Sequence, residues 1–198
     1  MIGFMVENIA EDIVLEEYLS DDKLNIILDR VNGWIDNCDS KVSTILSGAG
    51  IIAGIFLATD YVKKIISIIQ TAYKCDNAWA RIYLMVSAIS VILLIIGVCM
   101  LISTLFARVN SKAFKKKNVK TESILFFSSI AQNESFPKYL TKVRECSDAQ
   151  LKEDLICQIY ICSLICDKKF GLYKCGLLFS VIGFSLFVLM MSIGVAVF

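Results

Sequence analysis

The end of the chain, from Cys175 to Phe198, contains no charged side chain. An apolar run of this length can cross the hydrocarbon core of a bilayer, which is roughly 30 Å thick. The residues before it predict an amphipathic helix that begins at a capping box formed by Ser147 and Gln150. Its apolar face consists of Leu151, Leu155, Ile159, Cys162 and Cys166. No proline or polar loop separates the two parts, so the sequence predicts one helix, water-exposed where it begins and membrane-embedded where it ends.

The same arrangement is predicted in the first part of the chain. Ser20, followed by two acidic residues, has the features of a helix N-cap. An apolar stripe begins after it and continues into a first predicted span at 42–58. The stripe consists of Leu24, Ile27, Leu28, Val31, Ile35, Cys38, Val42, Ile45 and Leu46. Residues 1–41, with ten acids and three bases, are predicted to form acidic cytosolic helices before this span.

The second predicted span, 82–107, carries no charge. Residues 59–81 form the outer loop, in which 61–74 have the pattern of a helix lying in the membrane interface. The basic segment 108–120 follows the second span and contains six bases and no acids. The positive-inside rule therefore places it in the cytoplasm, with the N-terminus inside and 59–81 outside. We interpret this segment as a membrane anchor that attracts anionic lipid rather than a nucleic-acid site, because it adjoins a span.

The region 108–174 is basic as a whole and is predicted to be a helical cytosolic bundle between the second span and the third span, 175–198. Within it, 123–131 is a short apolar segment that fits either a helix or a strand. An amphipathic helix is predicted over 136–146, beginning near Ser135 and Pro137. The expected fold is therefore an all-α membrane protein with three transmembrane helices.

Composition argues against catalysis. The chain is 57% hydrophobic and contains no histidine, which removes the commonest general base and metal ligand. We find no nucleotide-binding, hydrolase or metal motif, so we expect no catalytic residues, no metal and no cofactor. The enzyme alternative, a membrane hydrolase, lacks a nucleophile and base pair. The eight cysteines are interpreted as packing residues in a reducing compartment, with lipidation of Cys175 as a weak alternative.

Small residues in the first span form a GxxxG pattern. Gly50 and Gly54 lie four residues apart, and Ala58 lies one step further. Residues of this size at this spacing let two transmembrane helices approach closely. We predict that they pack helices together, although the pattern also occurs by chance in membrane helices.

Three segments carry a family resemblance: RVNGWIDNCDSKVSTIL at 30–46, SILFFSSIAQ at 123–132, and DLICQIYICSLICDKKF at 154–170. Their order and their positions relative to the spans resemble the Pycsar effector family of bacterial membrane proteins. The matching residues are Asn32, Trp34, Ile35, Asp39, Lys41, Ser123, Phe127, Gln158, Ser163, Lys168 and Lys169. The resemblance implies an oligomeric effector of antiphage defence in the inner membrane. In that family a cognate cyclase makes a cyclic pyrimidine mononucleotide on infection, and the effector then impairs the membrane.

The charged residues directly before the first and third spans predict an ion pair that holds these two helices together in the resting state. We call this pair the latch. Asp39 precedes the first span, whereas Lys168 and Lys169 precede the third, so carboxylate and ammonium groups could pair there. An anionic ligand could compete for the lysines, and Trp34 could stack on its base. The candidate ligand-binding residues are Asn32, Trp34, Asp39, Lys41, Gln158, Lys168 and Lys169. The alternatives are that these residues are membrane anchors and that the protein is a non-enzymatic assembly or interaction subunit of another complex.

Overall fold

The computed structural model describes residues 20–58, 60–75, 77–106 and 123–197. This described part of the chain forms six helices: α1 Asp21–Ala58, α2 Tyr61–Lys74, α3 Ala78–Leu105, α4 Phe127–Ala131, α5 Phe136–Glu145 and α6 Asp148–Val197. Three of them, α1, α3 and α6, are long and apolar enough to cross a membrane. The predicted all-α fold with three transmembrane helices is thus confirmed. The helical pattern before Ser20 and the basic segment 108–120 lie outside the described residues.

The predicted continuity of the last helix is confirmed. α6 runs through 50 residues without a break, about 75 Å at the rise of an α-helix. Its capping box is formed in both directions: the Ser147 backbone N–H donates to the Gln150 side chain at 3.0 Å, and the Gln150 N–H donates to Ser147 Oγ at 3.3 Å. The box satisfies N–H groups that the first turn would otherwise leave without partners.

Helix α1 is continuous as well. It begins at Asp21, directly after the predicted cap, and extends for 38 residues to Ala58. Leu24, Val31, Cys38 and Val42 are its buried apolar residues. Their spacings of seven and four keep them on one side of the helix. Most of the apolar stripe that the sequence predicts is therefore the packed side of α1, whereas Ile27 at its edge is 40% exposed.

The described residues divide into two compact units. One contains residues 20–35 and 123–166, and the other contains residues 36–106 and 167–197. The second unit holds the apolar part of all three candidate spans. The assignment of 59–81 and 108–174 to opposite sides of the membrane stays a prediction.

In the second unit, α3 and α6 pack backbone against backbone. The buried residues of α3 are Ala80, Tyr83, Ser87, Ser90, Gly97, Leu101 and Thr104. Their spacings are three, four or a sum of the two, the period of left-handed helix packing. A methyl group on Gly97 would overlap the backbone of Ser180, and one on Gly183 would lie 2.5 Å from the Leu94 nitrogen. Glycine at these positions allows this close approach of the two helices.

Helix α2 packs on the beginning of α3. Ile68 and Ala72 of α2 are buried against Tyr83, with Leu84 and Met190 beside them. Asn77 caps α3, its side chain accepting the Ala80 N–H at 2.7 Å. This cap explains why α3 begins four residues before the predicted span. Helix α2 has the bounds predicted for the interfacial helix, whereas its position in a membrane interface stays a prediction.

The second half of α1, which contains the GxxxG residues, is packed differently from α3. A Cβ atom added to Gly50 or Gly54 would meet nothing within 4 Å. Ile51, Ile55 and Leu57 are 67%, 57% and 75% exposed. The GxxxG residues therefore make no helix contact within the described part of one chain, and their role in helix packing stays a prediction.

The first unit contains the two short helices. The segment that fitted either a helix or a strand is helical over Phe127–Ala131, and the predicted helix over 136–146 is present as Phe136–Glu145. Tyr139 joins them, since its hydroxyl donates to the Ile124 carbonyl at 3.0 Å. Both helices expose aromatic residues, with Phe127 75% and Phe136 71% exposed.

Candidate functional site

An ion pair connects α1 and α6 within the second unit. The Lys169 ammonium group donates to both carboxylate oxygens of Asp39, at 2.6 Å and 2.8 Å. The Lys169 side chain is only 6% exposed, whereas the Asp39 side chain is 34% exposed. Of the candidate ligand-binding residues, the structure brings these two together, and it does so in the latch pairing that the sequence suggests.

The helical period explains why Lys169 is buried. It lies three residues after Cys166 and seven before Gly176, both of which are buried. Lysine therefore occupies a position of the packed stripe that an apolar residue normally fills. Asp39 lies three residues before the buried Val42, at the edge of the α1 stripe. A charge at a packed position needs a counter-charge, and Asp39 supplies it.

A second polar cluster lies in the first unit, around Asp154. This carboxylate is 5% exposed. One of its oxygens accepts the Ser123 hydroxyl at 2.8 Å, the Ile124 N–H at 2.9 Å and the Leu125 N–H at 3.3 Å. The three donors belong to consecutive residues. One carboxylate on α6 therefore fixes the backbone of residues 123–125, just before α4.

Gln158 completes this cluster from the next turn of α6. Its amide donates to Ser123 Oγ at 3.2 Å. Ser123 Oγ in turn accepts the Phe126 N–H at 2.9 Å. The predicted ligand residue Gln158 thus has a structural partner in this fold, and its role in ligand binding stays a prediction.

Asp154 is the residue that the sequence interpretation missed. The signal was present, since Asp154 directly precedes Leu155 and lies three residues after Leu151 on the predicted apolar face. An acid beside such a stripe is rarely buried without a partner. The partner could not be identified from the sequence, because Ser123 lies about thirty residues away in a segment whose helix or strand character was open.

The remaining candidates are exposed and lie on different sides of their helices. Trp34 is 52% exposed, and Asn32, Lys41 and Lys168 are exposed too. Residues seven apart on a helix lie within about 20° of each other, whereas residues two apart lie about 160° apart. Trp34 and Lys41 therefore share one side of α1, while Asn32 and Asp39 lie on nearly the opposite side.

The described residues contain no group of three histidine, cysteine or acidic side chains that could hold a metal ion. The two polar clusters are built of carboxylates, an ammonium, a hydroxyl and amides, and all of these groups are engaged with one another. Such an arrangement can hold helices in place and release them.

Three candidate spans and buried polar contacts between helices define a multi-pass helical membrane protein. The Pycsar effector protein domain PycTM matches residues 23–196. The chain is also 33% identical over 157 residues to the Pycsar effector protein GmPycTM of Gulbenkiania mobilis, covering 75% of this chain and 80% of that protein. The chain thus belongs to the Pycsar effector family, the transmembrane effectors of an antiphage defence system. No solved structure matches it.

Proposed function

We propose that this effector is activated by a cyclic nucleotide and then impairs the integrity of the inner membrane. The signal is most simply a cyclic pyrimidine mononucleotide from a cognate cyclase, as the family membership suggests. The observation that carries the proposal is the Lys169–Asp39 pair, since a buried contact between α1 and α6 directly before their apolar segments gives a signal something to release.

The proposed resting state is held by this pair. Because the Lys169 side chain is 6% exposed, a ligand reaches its ammonium group only when α1 and α6 separate. Lys168 beside it is exposed. The proposed ligand-binding residues remain Asn32, Trp34, Asp39, Lys41, Gln158, Lys168 and Lys169. A role in ligand binding for Asp39 and Lys169 requires that their mutual contact breaks.

The proposed active state is an oligomer of spans. The open surroundings of Gly50 and Gly54 leave room for a helix of a second copy. The proposed orientation has the N-terminus in the cytoplasm, because six bases follow the second span at 108–120. In this orientation Asp39 and Lys169 precede their spans on the side of the membrane on which a cyclase works.

Dye release from liposomes tests the proposal. The full chain is reconstituted into vesicles loaded with a self-quenching dye. Uridine or cytidine 3′,5′-cyclic monophosphate is added, with adenosine 3′,5′-cyclic monophosphate as the purine control. We expect release with a pyrimidine nucleotide and little with the purine. Intact vesicles in every case, together with an unchanged membrane potential in cells that contain the chain and an active cyclase, would contradict the proposal.

A further inference from the structure

Arg30 and Trp34 form an uncovered cationic and aromatic face on α1. Trp34 is 52% exposed and Ile27, on the same side, is 40% exposed. Arg30 lies one turn before Trp34 and is also exposed. Neither Arg30 nor Trp34 has an ion pair, hydrogen bond or ring contact with another described residue. The face lies within the first unit and makes no such contact with the described residues of one copy.

The chemistry of this face suits a mononucleotide. An indole offers a surface on which a base can stack, and a guanidinium group binds phosphate oxygens through two parallel hydrogen bonds. Residues four apart lie about 6 Å apart along a helix, so one small ligand can contact both groups. A cyclic mononucleotide carries a base at one end and a single negative charge at the other.

One such face binds too weakly to act as a receptor. Stacking on one side of an aromatic ring and an exposed ion pair each contribute little, and together they correspond to dissociation constants of roughly millimolar or weaker. The other side of the base and the rest of the phosphate would remain in water. A tighter site needs a second wall, and no described residue of the same copy supplies one.

We infer that two copies of this protein bind the cyclic nucleotide between their Arg30–Trp34 faces. The inference rests on the proposed function and specifies how the signal causes assembly. Without ligand, the two guanidinium groups repel each other and the faces stay apart. With ligand, the phosphate lies between the two guanidinium groups and offsets their repulsion, and the second indole covers the base. The nucleotide is then part of the contact between copies.

A membrane role for Trp34 is the competing explanation. Trp34 lies eight residues before the first span, about 12 Å along the helix. An indole at that level could lie among lipid headgroups. The two explanations differ in what changes the environment of Trp34, lipid or nucleotide.

Tryptophan fluorescence separates them, because the chain has only two tryptophans. In the Trp79→Phe variant, Trp34 is the sole tryptophan and is excited selectively, and the reconstituted protein is titrated with uridine or cytidine 3′,5′-cyclic monophosphate. We expect saturable quenching whose midpoint falls as the protein concentration rises, with dimers in native mass spectrometry only when nucleotide is present. Arg30→Gln should weaken binding by about tenfold or more, since it removes a charge-assisted contact. Asn25→Ala, an exposed residue on the opposite side of α1 from Trp34, is the matched control and should bind normally.

Four results would overturn the inference. Calorimetric binding with unchanged Trp34 emission would place the nucleotide elsewhere and leave the proposed function intact. Quenching without dimers would mean that one copy forms the whole site. Quenching by brominated lipid but not by nucleotide would make Trp34 a membrane anchor. Neither binding nor dye release with any of the nucleotides would remove the proposed function itself.

Discussion

Breaking the Lys169–Asp39 pair from its two sides should have unequal effects. The lysine side chain is 6% exposed and the aspartate side chain is 34% exposed. Asp39→Asn therefore leaves an ammonium group enclosed by protein without a counter-charge. Lys169→Met leaves a carboxylate that water can already reach, and the methionine fills much of the volume of the lysine stem.

These exposures set the expected magnitudes. Leaving one charge of a buried pair without its partner costs about 3–5 kcal/mol, and we expect Asp39→Asn near the lower end because the pair is partly hydrated. Losing an ion pair whose remaining member is solvated costs about 0–1 kcal/mol. For a chain of this size, 3 kcal/mol corresponds to a fall in Tm of roughly 6–12 °C. Lys169→Met should change Tm by a small fraction of that.

The measurement is thermal unfolding of each purified variant in the same detergent, together with dye release from vesicles without nucleotide. Asp39→Asn should unfold at lower temperature and release dye without nucleotide. The double variant with Asp39→Asn and Lys169→Met should recover most of the stability, because it removes the unpaired ammonium group. The matched control is the exposed pair of Lys63 and Asp60, at 2.9 Å with both side chains more than four-fifths exposed. Lys63→Met should leave Tm unchanged.

Equal losses of stability in Asp39→Asn and Lys169→Met would refute the reasoning, because the asymmetry follows directly from the difference in burial. So would a double variant that is less stable than Asp39→Asn alone. A normal Tm with a full response to nucleotide in all variants would make Asp39 and Lys169 ordinary anchors near the membrane surface.

Three further predictions concern orientation, packing and the Asp154 cluster. A reporter fused near Asn118 should be cytoplasmic and one near Asp76 external, and finding both on one side would reject the three-span orientation. Gly183→Leu should reduce the amount of folded protein, since it forces α3 and α6 apart, whereas Gly50→Ile with Gly54→Ile should fold normally and lose self-association in cross-linking. Asp154→Ala should leave the donors of Ser123, Ile124 and Leu125 without their acceptor. Hydrogen exchange of the backbone amides at 124–126 should therefore become faster. The control is Asp148→Ala, which removes an exposed acid on the same helix and should not change this exchange.

The helices could be predicted from the sequence because the patterns that specify them are local and periodic. The capping box at Ser147 and the apolar stripe after it specify where α6 begins and which side packs. The same holds for α1 after Ser20. The Lys169–Asp39 pairing was also accessible, since both charges lie just before apolar segments. A stripe and a span boundary together restrict where a charge can find a partner.

Contacts between residues far apart in the sequence could not be predicted in the same way. Gly50 and Gly54 have the motif spacing, yet the described glycines that lie against another helix are Gly97, Gly176, Gly183 and Gly194, none of which is part of a GxxxG. Their relation appears only when α3 and α6 are set side by side, with Gly97 against Ser180 and Gly183 against Leu94. The partner of Asp154 was hidden for the same reason, since no local pattern links it to Ser123.

The two kinds of contact in the second unit differ in how easily a signal could undo them. Separating α3 from α6 means losing close backbone packing at Gly97 and at Gly183 together. The polar contact between α1 and α6 at Asp39 is one ion pair, and in the proposed function a phosphate replaces the carboxylate as the partner of Lys169. An anionic ligand that binds Lys169 as proposed would have higher affinity for the state in which this pair is broken, which is the condition for shifting the equilibrium toward that state. We expect activation to move the first span and to leave α3 and α6 joined.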